Sequence, residues 1–460
     1  MSLIKSISGI RGTIGGRAGE GLTPTDLVRF VSAYATWVSK ENGGKRVTIV
    51  VGRDARVSGQ MVRNIVVGVL MGMGADVIDL GLATTPTTEI AVTGEKAQGG
   101  IIITASHNPM QWNALKLLDG KGEFLSAAQG AEVLRLAADE AYEAAPVDEL
   151  GRVKDVDYAD RHIDKVLALP LVDADAIRKA GFSVALDAIN SVGGVILPKL
   201  LDRLGVKNVY GLNLEPNGRF AHNPEPLPQN LTDISALVCE KKADMGIVVD
   251  PDVDRLAFIC EDGSMFGEEY TIVSVADYVL SHTPGSTVSN LSSSRALRDV
   301  TERHGGTYAA AAVGEVNVVA KMRETGAVIG GEGNGGVIYP ECHYGRDALV
   351  GIALMLTQMA KSGKTLTQLR ASYPDYVISK NRIDLRPGVD VDALLARVKE
   401  AHKADRVDDR DGVKIDFAES WVHLRKSNTE PIIRIYAEAH TQAEADALAQ
   451  SVRGEIESLI

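Results

Sequence analysis

Along this 460-residue chain one local pattern keeps restarting: an apolar Val/Ile-rich run, a Gly- or Asp-rich loop, then a helical stretch. RVTIVVGRDAR (46–56) leads into the amphipathic GQMVRNIVVGVLMGMG, and ADVIDLG (75–81) and GGIIITASHNP (99–109) follow. The last of these halts at Asn108-Pro109, where helix is disfavoured. The pattern returns in FSVALDAINSVGG (182–194), KKADMGIVVDPDVDR (241–255) and ETGAVIGGEGNGGVIYP (324–340). Continuous apolar runs of this length belong to strands covered on both faces, and strands alternating with helices belong to βα units. The expected fold is α/β, with three similar α/β domains built on mixed, mostly parallel sheets.

The last stretch differs. It reads as a strand (376–385), a helix (390–404), strands near 413–417, 420–425 and 431–438, and a final helix from Thr441, with Glu444 completing a T-x-x-E capping box. A smaller α+β domain with one antiparallel sheet is expected there. The division is expected at 1–158, 159–260, 261–372 and 373–460, in keeping with the about three or four domains that this length allows.

A net charge of −12 disfavours a polyanionic partner, and no basic stripe suggests nucleic acid. Cys239, Cys260 and Cys342 are too scattered for a disulfide framework or a C-x-x-C zinc site, which fits a reducing compartment. The start, MSLIKSISGIRG, lacks a signal-peptide core, and no run reaches the roughly 18 apolar residues of a membrane span. A cytoplasmic protein acting on a small molecule is expected, as a monomer or homodimer.

Ligands of open α/β sheets bind beyond the carboxyl ends of strands, where the motifs are expected to form one composite site. T-A-S-H-N-P (104–109) alone would be a polar turn. An unassisted serine is a poor nucleophile, and His107 lies too close in sequence to Ser106 for a hydrolase triad. D-P-D-V-D-R (250–255) changes that reading. Asp250, Asp252 and Asp254, just past an apolar strand, would repel one another without a hard divalent cation such as Mg²⁺. Ser106, or a phosphate on it, is the candidate fourth ligand, with Arg255 to offset residual charge or orient the phosphoryl group. A dehalogenase-type phosphatase would also place D-x-D after a strand, but it wants Thr or Val where Asp254 stands.

In G-E-G-N-G-G (331–336), Glu332 and Asn334 could grip sugar hydroxyls; otherwise the segment is a tight hairpin. In R-K-S-N-T-E-P-I-I-R (425–434), Ser427, Asn428 and Thr429 between Arg425 and Arg434 suit a phosphate. Arg11 in S-G-I-R-G and Lys116 in W-N-A-L-K are cations able to stabilise a transferring phosphoryl group, Lys116 acting as a base if nearby cations lower its pKa. Arg53 and Asp54 are expected to form a structural ion pair beside the serine loop.

Taken together, and in this order, SGIRG, TASHNP with NALK, DPDVDR, GEGNGG and RKSNTEP resemble the α-D-phosphohexomutase superfamily over essentially the whole chain. The resemblance implies a C-terminal domain of TATA-binding-protein-like fold. It also implies reversible 1-phosphate/6-phosphate interconversion of a hexose or hexosamine phosphate, glucosamine ahead of glucose and mannose. The implied route runs through a phosphoserine at Ser106 and a hexose 1,6-bisphosphate, with Mg²⁺ held by the Ser106 phosphate, Asp250, Asp252 and Asp254. Arg11, His107 and Lys116 would assist transfer and proton movement. Glu332 and Asn334 would bind the sugar; Arg425, Ser427, Asn428, Thr429 and Arg434 would hold the non-reacting phosphate. A non-catalytic sugar-phosphate sensor would tolerate loss of Ser106 or the aspartates, and all are present. This chain departs from the superfamily in having Gly336 where many relatives end the GEGNGG loop in histidine, and Pro251 and Val253 where D-G-D-G-D-R is usual.

Overall fold

The computed structural model describes residues 2–6, 9–386, 389–427 and 432–459. The chain forms two compact units, one of residues up to 271 with 335–368, the other of 272–334 with 369 onward.

The first unit opens on a seven-stranded sheet of β1 (Leu3–Ser6), β2 (Gly9–Thr13), β3 (Thr48–Arg53), β4 (Asp76–Leu82), β5 (Gly99–Ile103), β6 (Trp112–Leu118) and β7 (Val153–Asp155), in the order β1-β2-β6-β5-β3-β4-β7. The βα units supply the parallel half, β5-β3-β4-β7, and β1, β2 and β6 run antiparallel on the other side. One covering helix, Pro24–Glu41, starts where Thr23 and Asp26 form a reciprocal capping box with Pro24 in the first turn. Its buried stripe of Leu27, Phe30, Val31, Tyr34 and Val38 repeats at helical spacing. Each such side chain contributes about 1.5–3 kcal/mol of burial. Tyr34 Oη donates to the carbonyls of Gly100 (3.0 Å) and Leu118 (2.6 Å), so this helix is fixed directly to β5 and to the residue ending β6.

A second sheet in this unit orders β11-β10-β8-β9 from β8 (Ser183–Asp187), β9 (Asn208–Leu212), β10 (Met245–Val249) and β11 (Leu256–Ile259). Every residue of β10 is buried, as its unbroken MGIVV run requires. β10 runs parallel to β8 and antiparallel to β11, so the chain reverses within residues 250–255, the acidic loop.

In the second unit β12 (Thr287–Asn290) lies between β13 (Tyr308–Ala311) and β14 (Ile329–Glu332), all parallel. β15 (Gly336–Ile338) belongs to the first unit. The C-terminal sheet is antiparallel, in the order β16-β20-β19-β18-β17, from β16 (Val377–Asp384), β17 (Arg406–Asp408), β18 (Val413–Asp416), β19 (Trp421–Lys426) and β20 (Ile432–Ala439). The final helix Gln442–Leu459 has the expected box: Glu444 accepts from the Thr441 N–H and donates its own to Thr441 Oγ1. The short β17 was not expected, since its three residues carry no apolar run.

Candidate active site

Ser106 follows β5 with a positive φ of 48°, a conformation that a non-glycine residue keeps only when its surroundings hold it there. Arg56 provides that hold. It is 1% exposed, and its guanidinium donates to the carbonyls of Ser106, Asn108 (2.7 Å), Pro109 (2.8 Å) and Trp112 (3.0 Å). Asp54 Oδ2 takes Arg56 Nε at 3.0 Å and the Thr104 hydroxyl at 2.6 Å, and Thr104 Oγ1 in turn accepts the Ser106 N–H. The expected Arg53–Asp54 pair is therefore corrected. Arg53 Nη1 donates to the Asp54 backbone carbonyl, while the carboxylate pairs with Arg56, which alone can reach four carbonyls through a planar fork. Arg56→Leu is expected to cost about 3–5 kcal/mol in urea unfolding, because Asp54 would stay buried without its cation. Catalytic turnover should fall on the order of 10²-fold from misplacement of Ser106.

The acidic loop brings Asp250 against this serine across 144 residues of sequence. Ser106 Oγ donates to Asp250 Oδ2 at 2.7 Å. Asp250 Oδ1 accepts the N–H groups of Asp254 (3.2 Å) and Arg255 (3.1 Å), curling the loop around it. The curl requires Val253 at φ 63°, rare for a β-branched residue and worth about 1–3 kcal/mol of strain. Complete burial of its side chain and the Ala348 N–H on its carbonyl (3.3 Å) oppose that strain. The loop ends against Gly335, whose carbonyl accepts the Leu256 N–H at 3.0 Å; a Cβ there would sit 2.3 Å from the Leu256 carbonyl oxygen.

Asp250, Asp252 and Asp254 are all fully buried. Burial, then the charges of Asp252 and Asp254, pushes the Asp250 carboxyl well above its usual range. Burial would raise Asp254 too, but Arg346, Lys116 and Arg255 outweigh it and hold that carboxyl low. Lys116 Nζ lies 2.6 Å from Asp252 Oδ2 and 3.4 Å from Asp254 Oδ2, and Arg346 lies 2.6 Å from Asp254 Oδ2. Among the described residues, Asp252 Oδ1 and Asp254 Oδ1 are buried without a hydrogen-bond partner. Three clustered carboxylates with two unmatched oxygens fit a hard divalent cation.

Lys116 is set between two of these carboxylates. Burial depresses its pKa, but Asp252 and Asp254 overcome that and raise it above the ordinary lysine value. His107 Nδ1 is 3.5 Å from Ser106 Oγ; burial, with Arg255, Arg11 and Arg346 adding to it, pushes its pKa well below 6.5 and keeps the ring neutral. Arg255 also pairs with Glu225 at 3.3 Å. Arg346 belongs to no motif singled out in the sequence; its one signal was a lone arginine preceding Asp347, the residue that caps the helix Ala348–Ser362.

In the second unit Glu332 ends β14 and is 3% exposed, its Oε1 accepting from Asn290 Nδ2 (2.7 Å) and the Gly314 N–H (3.1 Å), with Asn334 Nδ2 3.4 Å from Oε2. Arg425 Nε pairs with Asp411 at 2.8 Å and faces the exposed Arg434 across β19 and β20. Ser427 donates its N–H to the Ile432 carbonyl at 3.0 Å. Asn428 and Thr429 lie outside the described residues. The expectation that every motif sits at a strand's carboxyl end fits Arg425, which with Lys426 closes β19, and fails for Arg11 and Lys116. These lie within β2 and β6, antiparallel strands with no βα crossover to mark them.

Fold and site together give an α/β protein with a buried serine set against an acidic loop that fits a divalent cation. Family models for phosphoglucomutase/phosphomannomutase α/β/α domains I, II and III match residues 3–144, 160–263 and 267–376, and that for the C-terminal domain matches 388–455. A phosphoglucomutase/phosphomannomutase of Thermococcus kodakarensis is 38% identical, over 94% of this chain and 95% of that protein. A probable phosphoglucosamine mutase of Methanopyrus kandleri is 35% identical, over 96% and 95%. The crystal structure of a phosphoglucomutase/phosphomannomutase family protein from Burkholderia thailandensis superposes with a TM-score of 0.85 at 25% identity, covering 99% of this chain and 97% of that one. The chain belongs to the phosphoglucomutase/phosphomannomutase family, within the α-D-phosphohexomutase superfamily.

Proposed function

We propose that this phosphohexomutase interconverts glucosamine 1-phosphate and glucosamine 6-phosphate through a phosphoryl group carried on Ser106. The observation that carries the reading is Ser106 Oγ at 2.7 Å from Asp250, within a buried set of three carboxylates and the cations Lys116, Arg255 and Arg346. The formal charges of those six groups cancel. A phosphoserine adds about −2, which a divalent cation offsets. Asp250, Asp252, Asp254 and the Ser106 phosphoryl would hold Mg²⁺, which when bound neutralises charge on the transferring group.

The chain's own residues supply the rest. In the first transfer the Ser106 Oγ–P bond breaks as a bond forms from phosphorus to the free sugar hydroxyl, which gives up its proton. His107, neutral beside Ser106 Oγ, is the group placed to take and return protons, while Lys116 and Arg11 stay charged and stabilise the phosphoryl oxygens. After the bisphosphate turns around, the bond between the substrate's original phosphorus and its sugar oxygen breaks as a bond forms from that phosphorus to Ser106 Oγ, and the freed sugar oxygen takes up the proton. Glu332 and Asn334 are proposed to bind the sugar, and Arg425, Ser427, Asn428, Thr429 and Arg434 the non-reacting phosphate. The four parts 1–158, 159–260, 261–372 and 373–460 are proposed to carry, in turn, the serine, the metal, the sugar and the distal phosphate.

Glucose and mannose phosphates are the second reading, favoured by the name of the 38% identical relative. A dehalogenase-type phosphatase is disfavoured because Asp254 stands where that motif wants Thr or Val. The test supplies purified protein with Mg²⁺, a trace of hexose 1,6-bisphosphate and each 1-phosphate in turn. The expected product is the 6-phosphate, with the highest kcat/KM for glucosamine. Inorganic phosphate as the sole product would refute the mutase, and a higher kcat/KM for glucose or mannose would reassign the sugar.

A further inference from the structure

Behind the acidic loop lies a second set of buried ionisable side chains that the transfer chemistry does not use. Thr85, the first residue of the helix Thr85–Gly94, donates its hydroxyl to Asp252 Oδ2 at 2.5 Å and its N–H to the Asp252 carbonyl at 2.9 Å. One turn along, Glu89 Oε2 lies 3.4 Å from His343 Nδ1. His343 Nε2 lies 3.1 Å from Asp347 Oδ2, which also meets His162 Nε2 at 2.8 Å. Asp347 caps the helix Ala348–Ser362, and the residue before it, Arg346, grips Asp254. The acidic loop is thus held on Asp252 by one element and on Asp254 by another, and His343 joins the two elements behind it.

We propose that His343 is a positioning residue: a buried strut that, by bridging Glu89 and Asp347, keeps Thr85 on Asp252 and Arg346 on Asp254 and so sets the spacing of the carboxylates that receive the metal. This rests on the reading of Asp250, Asp252 and Asp254 as the Mg²⁺ site. A strut between two buried carboxylates works only as an imidazolium. Burial opposes that charge, but Asp347 and Glu89 overcome it and lift the His343 pKa to about 9. The groups around it are Glu89 from the helix Thr85–Gly94, Asp347 from its own segment, His162 through Asp347 and the neighbouring Cys342, on which Lys165 also acts. A histidine with a raised folded pKa contributes stability that is complete below its unfolded value near 6.5 and is lost as pH rises through about 9.

Two variants test the strut by different means. His343→Gln removes the charge. Gly345→Ala keeps it but inserts a Cβ that would sit 1.9 Å from Glu89 Oε2 and 2.8 Å from His343 Cε1, prising the pair apart. Calorimetric titration of the metal-free full-length protein with Mg²⁺ should show affinity weakened about tenfold or more in both. In activity assays kcat should be lowered and the sugar-phosphate KM held within about twofold. Wild-type Mg²⁺ affinity should decline above about pH 9, and that limb should vanish in His343→Gln. Variants that bind Mg²⁺ as tightly as wild type, with only a lower melting temperature, overturn the strut alone. Wild-type protein that binds no Mg²⁺ overturns the metal reading and the strut with it.

Discussion

Replacement of Ser106 by alanine is expected to lower kcat by about 10⁶-fold, the scale on which loss of a covalent nucleophile is felt. Intact-mass measurement after incubation with a hexose 1,6-bisphosphate should show one phosphate on the wild type and none on the variant. The size of the effect follows from the surroundings. Asp54 is already committed to Arg56 and Thr104, and Asp250 sits where the metal is proposed, which leaves Ser106 Oγ as the proposed carrier of the phosphoryl group. Stability should fall by about 1–3 kcal/mol, since the buried Asp250 loses its hydrogen bond from Ser106 Oγ, while the loop stays fixed through backbone carbonyls by Arg56. Phosphate appearing on Ser106→Ala, or isomerase activity surviving in it, would refute the phosphoserine route.

Asp250→Asn should separate stability from activity. In the metal-free protein the Asp250 carboxyl is fully buried beside Asp252 and Asp254 and has its pKa pushed up, first by that burial and then by those two charges. An amide retains the Oδ1 acceptor for the Asp254 and Arg255 N–H groups and removes the repulsion. The metal-free variant should therefore be more stable than wild type by about 1–2 kcal/mol. Saturating Mg²⁺, at about 100 times its Kd, should stabilise the wild type by about 2.7 kcal/mol and the variant hardly at all. Turnover should drop about 10³-fold with the loss of electrostatic stabilisation. A variant less stable than wild type without metal, and still stabilised by Mg²⁺, would contradict the assignment of Asp250.

Much of the fold was legible because its signals are local. MGIVV predicts a doubly covered strand, and β10 is buried at every residue. T-x-x-E at 441–444 predicts a helix start, and the reciprocal hydrogen bonds are there. The antiparallel strands β2 and β6 were missed: SGIRG reads as a loop, and WNALKLL carries no turn chemistry to announce its partner. In the site, the serine and the three aspartates were legible as residue types in a spacing. The roles of their neighbours were not. Lys116 was read as a cation for the phosphoryl group or a potential base, and only the structure sets it between Asp252 and Asp254.

By itself the sequence determined the α/β class, the loops in which chemistry sits and the demand that three clustered aspartates make for a cation, because each depends on residues within a few positions of one another. Only the tertiary structure decided which partners meet. It brought Ser106 to Asp250, exchanged Arg53 for Arg56 at Asp54, and introduced Arg346 and Thr85 to the acidic loop. The physical reason is that the contacts on the acidic loop join residues 92 to 167 positions apart, beside left-handed turns at Ser106 and Val253. Such turns are set by the packing around them, since neither residue favours that conformation alone.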